Sequence, residues 1–139
     1  MRTRTLRSFN TGAIDALVDA GDTRASAYSA IAIHHCHGAA TRVPIDATAF
    51  GIRERHFVVE VLAAWEPGDD AMPHQAWAQQ AYTDLATHSV DGGYPNLIGP
   101  QQAEQARKAY GPNASRLAQL KSRYDPDNVF TATMLPEAG

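Results

Sequence analysis

The chain is poor in cysteine and has no long apolar run. Cys36 is the single cysteine among 139 residues, so no disulfide can form within the chain, which is typical of a reducing compartment. No apolar run approaches the ~20 residues that a membrane-spanning helix needs. The basic start, Met1–Arg7, lacks the apolar segment of a secretory signal. We therefore expect a cytoplasmic protein without a membrane span.

The chain also lacks an excess of positive charge. It has 12 Lys and Arg residues against 15 Asp and Glu residues, which gives a net charge of −3. A mildly acidic chain without a basic block is a poor candidate for binding nucleic acid or anionic membranes. Apolar residues make up 44% of the chain, which indicates a folded protein of ordinary domain length.

Motifs that hold phosphates or metals are absent as well. Gly92-Gly93 is followed by Tyr-Pro and not by a helix, so there is no phosphate-binding glycine loop. The chain has no HExxH motif and no paired CxxC motif. No segment of this chain by itself is therefore built to hold a dinucleotide.

The apolar pattern predicts an α+β fold, with a small antiparallel sheet covered by helices. We interpret residues 1–11 as a flexible N-terminal arm and residues 12–139 as a single domain. The predicted elements are helices over Gly12–Ala20, Met72–His88, Gly99–Tyr110 and Pro112–Tyr124, strands over Ala27–Gly38 (buried) and His56–Trp65, and an extended tail over Val129–Pro136. Leu117, Leu120 and Tyr124 form an apolar stripe that we expect in the core, together with Trp65 and Trp77. A sheet this small has exposed edges and usually needs further strands or a partner.

The densest polar cluster is His34-His35-Cys36-His37. On a strand His35 and His37 share one face, so they are candidate substrate-contacting residues or the lining of a cavity or sheet edge. They could also supply two zinc ligands, with His56 or Glu60 as a third. The residues alone leave these readings open.

The segment Asp91–Leu97 is the other candidate site. Two glycines let the backbone pass close to a flat group, and Pro95 stiffens the exit. Tyr94 then presents a phenol, which can act as a general base, and Asn96 presents an amide. A packed loop without function is the alternative interpretation.

Several spaced motifs resemble the C-terminal signature of the berberine-bridge-enzyme-like FAD-linked oxidases. The motifs are Gly92-Gly-Tyr-Pro-Asn-Leu97, Ala109-Tyr-Gly-Pro-Asn113, Arg116-Leu-Ala-Gln-Leu-Lys121 and Tyr124-Asp-Pro-Asp-Asn-Val-Phe130. Upstream, Gly38-Ala-Ala, Val43-Pro44, Ala49-Phe50, Arg53, Trp65 and Trp77 are similar to the second half of that family's substrate domain.

The resemblance implies FAD chemistry, in which a base removes a proton from a small organic substrate and a hydride passes to the flavin. Tyr94 matches a tyrosine at the flavin edge that is the base in some members, where an Asn often precedes it; here that position is Gly93. The resemblance thus implies catalysis by Tyr94, cofactor contact by Tyr94 and Asn96, and substrate contact by His35 or His37.

The family's FAD-binding domain has no counterpart in these residues. We therefore expect the substrate-side C-terminal domain of an FAD-dependent oxidoreductase, with FAD supplied by a separate subunit or a missing domain. The alternative is a stand-alone homodimer that binds a small ligand or a partner. A zinc hydrolase built on His35, His37 and His56 is a third hypothesis.

Overall fold

Three strands form one sheet, with the most apolar strand in its centre. The computed structural model describes residues 1–99 and 102–131. The strands are β1 (Arg2–Leu6), β2 (Ala30–Cys36) and β3 (His56–Leu62), in the spatial order β1-β3-β2. β1 runs antiparallel to β3, with register from Arg2 opposite Val61 to Leu6 opposite Phe57. The predicted α+β fold with a small antiparallel sheet is confirmed.

The predicted flexible arm is wrong at residues 2–6, because these residues form β1. Thr3, Thr5 and Leu6 are buried. The Arg4 guanidinium lies 3.6 Å from the centroid of the Tyr82 ring, and its Nε donates to the Tyr82 carbonyl at 2.9 Å. A basic segment with a single large apolar residue does not look like a strand by itself. It becomes one because β3 offers it a ladder of backbone hydrogen bonds.

Each predicted helix is present with different bounds, and the first is longer than predicted. They are α1 (Thr11–Asp22), α2 (Ala71–Asp84), α3 (Ala103–Ala109) and α4 (Ala114–Tyr124), and single turns of 3-10 helix cover Gly38–Thr41, Ala86–His88, Pro95–Leu97 and Gly111–Asn113. The Asn10 side chain caps α1 by accepting from the Ala13 N–H at 2.9 Å. The Asp70 side chain caps α2 in the same way, from Met72 at 3.0 Å. Such caps satisfy backbone donors that the first turn leaves free.

The described chain divides into two compact units. The first joins Met1–His35 to His56–Val90, and the second joins Cys36–Arg55 to the described residues from Asp91 onward. The first unit contains β1, β3, α1 and α2 with most of β2, and the second contains α3 and α4. A single domain over residues 12–139 stays a prediction.

The core of the first unit lies between the sheet and the pair α1 and α2. Val59 and Val61 on β3 are almost fully buried and belong to clusters with residues of α1 and α2. Trp77 on α2 is buried as predicted, and its indole N–H donates to the Ala20 carbonyl at 2.9 Å. Trp65 is half-buried and stacks on His74. Tertiary packing of this apolar face stabilises helices too short to persist alone.

Two predicted core segments are exposed. β2 was expected to be buried, yet it lies at an edge of the sheet, and Ile33 keeps 49% of its surface. On α4, Leu120 and Tyr124 are 39% and 70% exposed and no residue of the helix is buried. Apolar periodicity marks the face that a segment can bury, but it does not supply the neighbour that buries it. The predicted tail from residue 132 to Pro136 lies outside the described residues, as do Pro100 and Gln101.

Leu6→Ala tests whether β1 belongs to the core. Leu6 is fully buried in one cluster with Ala13, Val59 and Leu85, so truncation should lower the free energy of unfolding by about 2–5 kcal/mol. Urea unfolding measures this change. Met72→Ala is the control, because Met72 is 74% exposed, and it should change stability by no more than about 0.5 kcal/mol. Equal, small effects of both variants would show that β1 is dispensable.

Candidate functional site

The ribbon Asp91–Leu97 is held against the C-terminal part of α3. Gly92 has a φ of +81°, and a Cβ there would lie 2.7 Å from the Lys108 carbonyl oxygen. The Gln105 side chain donates to the Gly92 carbonyl at 3.0 Å. Lys108 binds the Asp91 carboxylate at 3.2 Å, and this hydrogen bond raises the pKa of the Lys108 ammonium. Glycine is therefore required at position 92, because the φ angle is positive and because there is no room for a Cβ.

Tyr94 and Asn96 project from this ribbon as a pair. The Tyr94 carbonyl accepts from the Leu97 N–H at 2.9 Å, which closes the 3-10 turn Pro95–Leu97. The Asn96 Nδ2 donates to the Tyr94 phenol oxygen at 3.1 Å. Tyr94 is 39% exposed, and Asn96 is exposed as well. Since the phenol oxygen is the acceptor in this bond, its own O–H stays available to donate outward.

Phe50 and Arg53 support the phenol from the loop before β3. The Phe50 ring meets the Tyr94 ring edge to face, with centroids 5.6 Å apart at 88°. The Arg53 guanidinium lies 5.2 Å from the Phe50 centroid. Its Nη1 donates to the Ala40 carbonyl at 3.1 Å, and its Nη2 donates to the Thr48 hydroxyl. Edge-to-face rings and a guanidinium near an aromatic ring are favourable geometries that limit how far each ring can move.

A backbone junction fixes the loop that carries Phe50. A Cβ on Gly51 would lie 2.4 Å from the Tyr110 carbonyl, so the two backbones are in direct contact. Asn113 is buried, and its Nδ2 donates to the carbonyls of Ile45 at 2.8 Å and Thr48 at 3.1 Å. Burial raises the pKa of the Tyr110 phenol, which keeps this tyrosine protonated and unsuited to act as a base.

The histidines divide between the two units and form no cluster. His34 Nε2 lies 2.6 Å from the Glu60 carboxylate. The His35 ring stacks on Phe57 with centroids 4.4 Å apart, His56 is buried, and His37 is exposed just before the turn Gly38–Thr41. Among the described residues, no three His, Cys, Asp or Glu side chains come close enough to hold a metal ion. The geometry therefore gives the zinc hypothesis no support, and substrate contact by His35 and His37 stays a prediction.

The Cys36 thiol is not suited to act as a nucleophile. Burial raises the pKa of the Cys36 thiol, which disfavours the reactive thiolate.

The Asp125 carboxylate accepts from the N–H groups of Val129 at 2.7 Å and Phe130 at 3.0 Å, and it also pairs with Lys121. The Lys121 ammonium lowers the pKa of Asp125, with the two backbone N–H groups acting in the same direction. This carboxylate thus ends α4 in a defined turn.

Sequence reasoning on its own missed Phe50, Arg53 and Asn113 as parts of the site. In the sequence, Arg53 and Asn113 stand out only as members of the family-like motifs, and Phe50 also as an apolar residue of the loop over residues 39–55. Phe50 and Arg53 stand in a segment without regular structure, and Asn113 is separated from its acceptors by more than 60 residues in the chain. Only the fold shows that they support Tyr94.

Comparison with known proteins shows which family the chain is similar to. The family model described as berberine and berberine-like matches residues 93–134. The uncharacterized FAD-linked oxidoreductase YgaK of Bacillus subtilis is 34% identical over 93 residues, which cover 67% of this chain and 20% of that protein. An FAD-linked oxidoreductase of Dictyostelium discoideum is 28% identical over 126 residues, which cover 88% of this chain and 27% of that one.

The fold agrees with these matches. The structure of the Physcomitrella patens BBE-like 1 protein superposes with a TM-score of 0.77 at 20% identity, over 99% of this chain and 29% of that chain. The fold and the spaced motif thus define a berberine-bridge-enzyme-like C-terminal region. The chain belongs to the berberine-bridge-enzyme-like family, as its motifs implied. It spans between a fifth and three tenths of the length of these relatives.

The structure also bears on membrane insertion. Within residues 1–99 and 102–131, no helix combines the length and apolar character required to cross a bilayer.

Gly92→Ala tests how the ribbon is held, with Gly68→Ala as its matched control. Both glycines have positive φ, +81° and +102°, but only Gly92 faces backbone atoms, whereas nothing lies within 4 Å of a Cβ on Gly68. We expect Gly92→Ala to lower the free energy of unfolding by about 1–3 kcal/mol more than Gly68→Ala does. Urea unfolding measures both. Equal losses would mean that the ribbon does not depend on contact with α3.

Asp125→Asn tests the turn after α4 through its pH dependence. Because the folded-state pKa of Asp125 is lowered, its contribution to stability is present above the unfolded value of about 3.9 and is lost as the pH falls through the folded value. The difference in urea midpoint between wild type and variant should therefore be largest near neutral pH and shrink below about pH 4. Asp127→Asn, which leaves the Lys121 pair intact, is the control. A difference that persists unchanged at low pH would contradict this assignment.

Proposed function

We propose that this chain is the substrate-side domain of an FAD-dependent oxidoreductase that oxidises a small organic substrate, and that the flavin-binding domain is supplied from outside these residues. Its relatives are FAD-linked oxidoreductases that carry the berberine-like region. The observation that carries the proposal is the exposed Tyr94–Asn96 pair, fixed on a glycine ribbon and supported by Phe50.

The residues fit one edge of a flavin but not the whole cofactor. A phenol with a free O–H and an adjacent amide can face a polar ring edge, and their exposure leaves room for a planar group. The sequence has no glycine-rich phosphate loop to hold the dinucleotide. Tyr94 and Asn96 would therefore contact the ring system while another polypeptide segment grips the remainder.

The chain's own contribution is to orient the substrate and move a proton. When bound, FAD would supply the oxidation, as the acceptor of a hydride from the substrate. To act as the base, Tyr94 would have to be in its phenolate form, whose oxygen would take the hydroxyl proton of the substrate and become a neutral phenol, while the Asn96 amide, which donates to that oxygen, would hold it in place. Phe50, tied through Arg53 to the loop, limits rotation of the Tyr94 ring. Such support matters because a general base must lie within hydrogen-bond reach of the proton that it takes.

A second candidate function is a stand-alone binding module. A cleft of about 680 Å³ lies between α1 and β2 in the first unit, lined mainly by Phe9, Ile14, Leu17, Val18, Ile31 and Ile33. Its volume falls within the range of small-molecule sites. Its lining contains one acid, Asp22, and no histidine, cysteine or tyrosine, so it favours binding over catalysis.

The test isolates the tagged full chain from its natural host and records its visible absorption spectrum. We expect the two bands of oxidised flavin in the preparation, together with a second polypeptide, and little binding when the purified chain is mixed with free FAD alone. A colourless preparation that gains no flavin from host extract would contradict the proposal.

Tyr94→Phe then tests the proton transfer. In the flavin-containing preparation, the rate of flavin reduction by a substrate alcohol should fall by about 10²–10⁴-fold, the usual contribution of a positioned base. Tyr124→Phe is the matched control, because Tyr124 is an exposed tyrosine on α4 outside the ribbon. If both variants reduce flavin at the wild-type rate, Tyr94 is not the base.

A further inference from the structure

The loop from Gly92 to Gly99, which carries the phenol and the amide of the candidate site, is bound at both ends by glutamines. At its start, the Gln105 Nε2 donates to the Gly92 carbonyl at 3.0 Å. At its end, the Gly99 N–H donates to the Gln102 Oε1 at 3.4 Å, and the Gln102 N–H donates to the Gly99 carbonyl at 2.9 Å. Both ends of the loop are therefore held by α3 and the residue before it, all within the second unit.

The two glutamine side chains also bind each other, so their contacts form one continuous chain of hydrogen bonds. The Gln102 Nε2 donates to the Gln105 Oε1 at 2.6 Å. Each amide thus accepts through its oxygen and donates through its nitrogen, and the chain runs in one direction from the Gly99 N–H to the Gly92 carbonyl. Gln102 is only 5% exposed, and hydrogen bonds linked in series away from water strengthen one another. We call this chain the glutamine relay.

Apolar packing of the same loop leaves a separate task for the relay. Ile98, near the end of the loop, packs against Ala106 and Ala109 of α3. Apolar contact is not directional, so it holds the loop near the helix without fixing the orientation of its backbone. The hydrogen bonds of the relay are directional, and they can fix the angle at which each end of the loop leaves α3.

We propose that Gln102 and Gln105 are positioning residues for Tyr94 and Asn96, which they hold in place by joining the two ends of the loop between them. This inference rests on the proposed function, because it gives the relay a part in the reaction of Tyr94. A side-chain amide suits this task because it offers a donor and an acceptor, whereas an ionised carboxylate only accepts. Holding both ends leaves the loop fewer conformations, so the phenol oxygen stays within reach of a substrate proton.

Amide hydrogen exchange of the full chain, followed by NMR, tests the relay without flavin. The Leu97 N–H donates to the Tyr94 carbonyl at 2.9 Å, so its exchange reports how often the loop opens. Gln105→Met keeps the side-chain length and the helix propensity but removes the amide. We expect this variant to speed Leu97 exchange about three- to tenfold, as the loss of one hydrogen bond predicts. The exchange of Val59 and Val61 in β3 should not change, because the core stays folded.

Two further variants separate hydrogen bonding by Gln105 from its other effects. Gln80→Met is the matched control, since Gln80 is a helix glutamine in the first unit whose Nε2 donates to Asp84 at 2.8 Å. It also loses one hydrogen bond, yet it should leave Leu97 exchange unchanged. Gln105→Glu keeps the shape of the side chain, but its carboxylate cannot donate to the Gly92 carbonyl. It should speed Leu97 exchange at least as much as Gln105→Met does, whereas a role in packing alone would leave it like the wild type.

Flavin reduction then tests whether the relay serves the reaction. In the flavin-containing preparation, Gln105→Met should lower the limiting rate of flavin reduction about tenfold or more, because a displaced base meets its proton less often. The substrate concentration for half-saturation should stay within about twofold, since binding is retained and only the reacting geometry is lost. Gln80→Met should reduce flavin at the wild-type rate.

Two results would overturn the proposal. The first is Leu97 exchange that stays at the wild-type rate in both Gln105→Met and Gln105→Glu. The second is flavin reduction that Gln105→Met leaves unchanged although Tyr94→Phe slows it. Failure of the proposed function is recognised separately, because Tyr94→Phe would then leave flavin reduction unchanged whatever the exchange of Leu97 shows.

Discussion

The contact between the backbones of Gly51 and Tyr110 is the constraint on which the second unit depends. A side chain on Gly51 would overlap the Tyr110 carbonyl, and Gly111 adopts a φ of +49° beside the same glycine. This approach brings a loop without regular structure next to the junction of α3 and α4. Asn113, which is itself buried, then donates to two carbonyls of that loop and holds it against this junction. The positions of Phe50 and Arg53 follow from this junction.

The position of Tyr94 also depends on the Gly51 junction, together with a contact between the ribbon and α3. The ribbon before it touches α3 through Gly92, and the ring beside it comes from the loop that Gly51 anchors. Two separate backbone contacts therefore determine where one phenol lies. A group that must meet a reacting atom gains from such support, because small displacements lose much of the rate.

The family signature has a largely structural meaning in this chain. Gly92, Tyr110-Gly111, Asn113 and Asp125 each make close backbone contacts or hydrogen bonds that define local geometry. Tyr94 and Asn96 differ from these residues, because they are exposed and bind each other at the surface. The motif residues that make backbone contacts or hydrogen bonds account for the fold that the chain shares with its relatives. The exposed pair of Tyr94 and Asn96 can contact another molecule. The distinction comes from burial and hydrogen bonding, and the spacing of the motif does not show it.

Local patterns in the sequence predict most of the elements, the α+β class, the family and the ribbon with Tyr94 and Asn96, because apolar periodicity, glycine and proline positions and motif spacing act over short stretches of chain. Tertiary structure alone decided that the basic residues 2–6 form a strand, since their ladder partner lies more than 50 residues away. It also decided that β2 and α4 are exposed and that Phe50, Arg53 and Asn113 support the site. In each of these cases the outcome depends on which distant surface a segment meets, and the local pattern of residues contains no information about that neighbour.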